Sequence, residues 1–118
     1  MKNILTLLAL SLTVSAYAQD DKHRAWIATD QQGDLLTIQG KFANDSKHAD
    51  IFRYELITTK QGTSGSSRSA QSGEFAAPAE QEVSLSRSSI NVTKKDTYLI
   101  ELKIFRDGAI YLEDRIEY

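Results

Sequence analysis

The sequence predicts an all-β protein, an immunoglobulin-like β-sandwich of about seven antiparallel strands. Three observations carry that expectation. Apolar and polar residues alternate in short runs, as they do on strands that bury one face. Turn-forming residues recur about every 8–12 positions, the spacing of a sandwich or barrel. Past residue 18, no stretch shows the three- and four-residue apolar spacing of a convincing helix.

The strands follow in order. His23 to Ala28 is the first, with Trp26 and Ala28 on one face and Ile27 on the other. Gln31-Gln32-Gly33-Asp34 is a turn, and Leu35 to Phe42 is the second strand, with Leu36, Ile38, Gly40 and Phe42 sharing a side. Asn44 to Lys47 reads as a polar loop. Ile51 to Lys60 alternates cleanly: Phe52, Tyr54, Leu56 and Thr58 against Arg53, Glu55 and Thr59. Gly62 to Gly73 holds three Gly and five Ser. A linker there would leave two halves too small to stand alone, so a hairpin tip leading into an edge strand, about Ser67 to Phe75, fits better. Glu82 to Ile90 follows Pro78, with Val83, Leu85 and Arg87 in alternation. Thr97 to Arg106 carries an unbroken apolar face of Tyr98, Ile100, Leu102 and Ile104. Asp107-Gly108 supplies the positive φ angles of a type I′ turn, and Ile110, Leu112 and Ile116 with Tyr111 complete the last strand. The lone Trp and the tyrosines are expected in the core and at its rim.

The first residues read differently. Lys2, the apolar run Ile4 to Val14 and the small-residue site Ala16-Tyr17-Ala18 have the layout of a secretory signal. An uncleaved anchor is the competing reading, but the run is short against the about 20 residues that span a bilayer. Residues 1–18 are therefore expected to be removed, leaving 19–118 as a single domain, exported and not stably held by membrane. The formal charge of the whole chain is −2, and loss of Lys2 makes it one unit more negative. Such weak acidity argues against nucleic-acid binding, which needs a basic excess or stripe. The chain has no cysteine, so thiol chemistry and cysteine metal sites are ruled out. Its core alone must supply a net stability of about 5–15 kcal/mol.

No constellation for catalysis emerges. His23 and His48 are the only histidines, and neither has metal-ligand spacing. His48 beside Asp50 suggests a relay, but a solvated loop histidine is the simpler account. Gly62-Thr63-Ser64-Gly65-Ser66 lacks the order of a nucleophile elbow and the ending of a phosphate loop. Glu113 and Asp114 are adjacent on a strand, so they point to opposite faces and cannot form a carboxylate pair. No enzyme activity, cofactor or metal is expected. Binding is.

The residues Lys60, Gly62, Ser64-Gly65 and Ser67, followed by Gln71-Ser72-Gly73-Glu74-Phe75, resemble the central signature of the CsgC/CsgH family of curli assembly proteins. Gln31 to Asp34 with Thr37-Ile38 is similar to the family's early turn and strand. Pro78 to Gln81, Leu85-Ser86, Ser89-Ile90-Asn91 and Asp107-Gly108 extend the likeness along the chain. The resemblance implies a periplasmic immunoglobulin-like sandwich that keeps curlin subunits from forming amyloid before secretion. It implies a chaperone working without ATP, transiently and below stoichiometry, on early oligomers or nuclei. One branch of the family carries a Cys-x-Cys pair. The corresponding Asp50-Ile51-Phe52-Arg53-Tyr54 has none, which fits the cysteine-free, CsgH-like branch.

The client-binding candidates are Arg53, Lys60, Ser64, Ser67, Arg68 and Gln71. Small side chains from Ser66 to Phe75 let another backbone approach, and the three cations attract acidic subunits through salt-screened contacts. The same glycines and serines also suit an ordinary turn. An alternative surface is the polar face of Arg53, Glu55, Glu101 and Lys103. The protein is expected to act as a monomer. Competing functions are an exported adhesion or fimbrial accessory domain and, less favoured, a carbohydrate-binding domain with Trp26 as its platform.

Overall fold

A computed structural model describes residues 18–19, 22–63 and 65–118. The strands are β1 (Ala18–Gln19), β2 (His23–Gln32), β3 (Leu35–Asn44), β4 (Asp50–Gly62), β5 (Gly65–Ala77), β6 (Gln81–Asn91), β7 (Thr97–Arg106) and β8 (Ala109–Glu117). They form two four-stranded sheets, ordered β1-β2-β3-β6 and β5-β4-β7-β8. Every pairing is antiparallel. The seven strands read from the sequence all form, several of them longer at both ends. Gln31 and Gln32 extend β2 rather than turn, leaving Gly33-Asp34 as the bend.

The inward rows meet in one core. Leu36, Ile38 and Phe42 come from β3, Phe52 and Leu56 from β4, and Ile100, Leu102 and Ile104 from β7. The sheets touch through aromatic rings: Phe42 lies 4.8 Å from Phe52 and 5.2 Å from Phe75, centroid to centroid. The β7–β8 turn is as the sequence requires, with Asp107 at φ 53° and Gly108 at φ 80°. At the far end of β4, Gly62 is a close-approach position. A Cβ there would collide with Asp96 Oδ1, on the β6–β7 loop, which holds itself by Thr93 N donating to Asp96 Oδ2 at 2.8 Å.

Four more expectations are corrected. Trp26 is not core: the inward row of β2 is His23, Ala25 and Ile27, and Trp26 lies half-buried on the opposite face under the Arg24 guanidinium. The alternation of Val83, Leu85 and Arg87 breaks at a bulge. Lys41 faces Ser84 while Gly40 faces Ser86, so Leu85 is the extra residue and Arg87 ends up outside, opposite Gln39. A second bulge makes Tyr111 the extra residue, since Ile104 pairs with Leu112 but Phe105 pairs with Ile110. Tyr111 therefore turns inward onto His23 and Phe52, and Ile110 faces out at 51% exposure.

The fourth correction is Asn44, which is no loop residue but the fully buried end of β3. Its Nδ2 donates to His48 O at 2.9 Å and Ala77 O at 3.0 Å, and its Oδ1 accepts from Ser46 N at 2.9 Å. One side chain thus closes the β3–β4 loop and fastens the end of β5 across the layers. A buried amide persists only when paired in this way. Other polar ties also cross the layers: Asp114 Oδ2 accepts from Ile27 N at 2.9 Å, and Lys60 Nζ donates to Asn91 O at 2.8 Å.

Asn44→Ala should lower unfolding free energy by about 2–4 kcal/mol, because it orphans buried backbone groups as well as leaving a void. Urea midpoints would check this, and Asn44→Asp should not rescue it, since a carboxylate cannot donate to two carbonyls.

Candidate functional site

Edges are where a sheet can meet another chain, and this protein treats its edges unequally. On the first sheet, β1 covers only Arg24 and Ala25 of β2. The Ile27 N–H beyond it is taken by the Asp114 carboxylate from the other layer, an inward-aimed charge of the kind that blunts an edge. On the second sheet, β5 is terminal. It runs from Gly65 to Ala77 with small or polar side chains throughout, save Phe75 tucked against the core. Among the described residues no backbone-to-backbone bond outside the β4 ladder involves it, though Ala77 O at its end accepts from Asn44 Nδ2. The edge expected from the Gly/Ser-rich sequence is present, and longer.

The candidate residues divide over that strand pair. Cross-strand partners share a face, and Arg53 and Arg68 (opposite Thr59) lie on the outer one. They are six β4 positions apart, about 20 Å. Lys60, Ser67 opposite it and Gln71 opposite Leu56 lie in the inward row. Arg68 and Ser67 are exposed and Gln71 is half-buried. Ser64 lies outside the described residues. Arg53 holds its guanidinium 6.0 Å from the Phe105 ring. The three cations therefore do not form one patch: Lys60 is tied to Asn91, Arg53 sits one strand inside the edge, and Arg68 alone stands on it.

The alternative polar face does gather. Arg53, Glu55, Glu101 and Lys103 share the outer side of the second sheet. Their neighbours in register alternate in sign: Glu74 beside Arg53, Lys103 between Glu55 and Glu113, Arg115 beside Glu101. Charges balanced row by row give little net field, so this face attracts a charged partner weakly.

One cluster was not foreseen. At the mouth of the sandwich, Phe52 and Tyr111 stack 5.9 Å apart and 9° from parallel. The Arg106 guanidinium lies 5.4 Å from the first ring and 5.1 Å from the second. It is anchored by Asp50 Oδ2 at 2.6 Å. His23 Nδ1 meets the Tyr111 hydroxyl at 2.7 Å behind them. Sharing Asp50 and Phe52 with this cluster, a groove of about 630 Å³ runs on past Ile51, Arg53, Glu55, Glu74 and Phe105. Ile51 stands 60% exposed at its rim. Alternation alone could point Phe52 inward. It could not bring in Tyr111, which depends on the bulge. Among the described residues no group of three or more His, Cys, Asp or Glu is placed to hold a metal ion.

The Ile51 N–H bonded to Asp50 pulls its carboxyl pKa below 3.8; desolvation opposes this and the Arg106 guanidinium reinforces it. A depressed carboxyl pKa contributes stability that is present above the unfolded value and lost as pH falls through the folded one. Asp50→Asn should therefore be less stable than the parent near neutrality, by at most about 1 kcal/mol because the pair is over one-third exposed. The gap should close in acid, as pH falls through the depressed pKa of the Asp50 carboxyl. Urea midpoints taken across that range would show it, and a gap that stays constant with pH would contradict the charge-based account.

Residues 18–116 match the family model described as thin aggregative fimbriae synthesis protein. The curli assembly protein CsgC of Salmonella arizonae is 25% identical over 115 residues, spanning 98% of this chain and 94% of its own length. That of Escherichia coli K12 is 24% identical, spanning 98% and 93%. Among solved structures, the E. coli curli protein CsgC superposes with a TM-score of 0.68 at 24% identity, over 79% of this chain and 96% of its own. R. palustris CsgH gives 0.56 at 24% identity, over 80% and 87%. The structural likenesses bear on the fold and the family match on kinship: this chain belongs to the CsgC/CsgH family of curli assembly proteins.

Proposed function

We propose that this protein, within its role in curli assembly, is an ATP-independent chaperone that keeps curlin subunits from forming amyloid prematurely. The observation that carries the reading is the open, small-residued β5 edge. Cross-β fibres grow by adding strands to an exposed border, and a folded edge that docks there without offering a fibre-competent continuation stops growth. Gly and Ser side chains along β5 let a client backbone come close, and Arg68 supplies a charge at the contact. Early oligomers or nuclei are the target, since these are rare enough to be capped by substoichiometric protein. The signal-like residues 1–18 support action in the periplasm after cleavage, on the mature residues 19–118. The two-layer antiparallel fold supports an immunoglobulin-like assignment. The function is surface binding, with no bond chemistry, nucleic acid or cofactor.

Purified curlin mixed with catalytic amounts of the mature protein should show a lengthened lag in a dye-binding aggregation assay. An unchanged lag would remove the function. Arg68→Glu should shorten the lag and reduce its salt dependence most, since Arg68 stands on the edge itself. Arg53→Glu and Lys60→Glu should do less, and Lys60→Glu should also lose stability with its bond to Asn91. Equal effects at all three positions would shift the contact from the edge to the sheet face.

A further inference from the structure

The charge pattern on β5 is self-complementary. Of its thirteen residues, Arg68 and Glu74 alone are charged. They are of opposite sign, exposed, and on the same outer face, opposite Thr59 and Arg53 of β4. Neither makes an ion pair among the described residues.

Consider a second copy pairing antiparallel along this edge about a two-fold axis normal to the sheet. Such an axis keeps outer faces together, so it must pass through a residue rather than between two. With the axis at Gln71, Arg68 of each copy stands across from Glu74 of the other. The same register sets Gly65 opposite Ala77, so the two strands overlap over their whole length. Moving the axis by one residue slips the register by two, sets both charges against neutral residues and shortens the overlap. Full overlap and charge matching thus select one register, and they do so independently. The row across the junction then reads Arg53, Glu74 and the second copy's Arg68, continuing the alternation of sign already present on this face.

We infer that the protein forms a reversible two-fold dimer through β5, in the register that opposes Arg68 and Glu74. This joins the two second sheets into one of eight strands and satisfies the ladder that the monomer leaves open. It departs from the monomer expected on sequence grounds and goes beyond the chaperone reading. Because the dimer covers the edge assigned there to clients, self-pairing and client capture compete.

The test needs no client. Sedimentation of the purified protein from about 1 μM to 1 mM should show a monomer–dimer equilibrium, weaker at about 0.5 M salt. Arg68→Glu or Glu74→Arg alone should raise the dissociation constant about tenfold or more, since each turns two attractive contacts into repulsive ones. The combined swap Arg68→Glu with Glu74→Arg should return it to within about threefold of the parent. Since the chain has no cysteine, single cysteines report the register. Gln71→Cys places two thiols across the axis, at Cα distances of about 4.5–5.5 Å that a disulfide spans. Ser67→Cys leaves them eight positions apart, about 26 Å. Rapid oxidative cross-linking of the first and not the second supports the register. A monomer at every concentration, a swap that fails to restore dimers, or equal cross-linking at both positions would overturn the proposal. Circular dichroism checks that each variant keeps its β-fold.

Discussion

With no cysteine in the chain, and so no disulfide, the two sheets are held together by what their inward faces carry. Apolar rows on β3, β4 and β7 supply most of that adhesion, and the contact of Phe42 with Phe52 and Phe75 sets its centre. Apolar packing is non-directional, so it does not by itself fix how one layer sits on the other. The directional part falls to a few polar ties that cross the layers: Asn44 to Ala77, Asp114 to Ile27 and Lys60 to Asn91. Each of these ends on a backbone group near a strand end or an edge, where the regular ladder runs out of partners.

The site inherits this arrangement. β5 is held at its C-terminal end by Asn44 and Phe75, and along one side by β4. Its other side faces outward with nothing bulkier than Arg68, Gln71 or Glu74 before Phe75. Small side chains along such a strand leave its backbone open to close approach, which is what strand addition requires. The charges nearby matter chiefly by position. Arg53 and Lys60 are engaged with Phe105 and Asn91, so of the three candidate cations Arg68, on the edge strand, is the one placed to meet a partner.

Much of this was legible in the residues. Period-two alternation placed Leu36 to Phe42, Phe52 to Thr58 and Tyr98 to Ile104 on their correct faces, and Gly/Ser content marked β5 as an edge. Two of the misses share a cause. At Leu85 and Tyr111 an extra residue shifts the alternation by one, and nothing in the local sequence announces a bulge. Ile110 and Arg87 are misplaced for that reason alone. Asn44 looked like loop chemistry because its burial depends on partners as distant as Ala77. Trp26 looked like core because bulk usually goes inside, yet Ala25 and Ile27 fill the tighter inward row and leave the indole to Arg24. The Arg106–Tyr111–Phe52 stack was invisible for both reasons, since it needs a bulge and a long-range pair.

The inward turn of Asp114 has a further consequence. It belongs to β8, the border of the second sheet farthest from β5, where Glu113, Arg115 and Glu117 stand beside it. Four ionised groups in a short segment are costly to strip of water, so that border resists being lengthened. The sheet is therefore polar in the sense of a railway with a buffer at one terminus: a strand received at β5 finds no onward platform at β8.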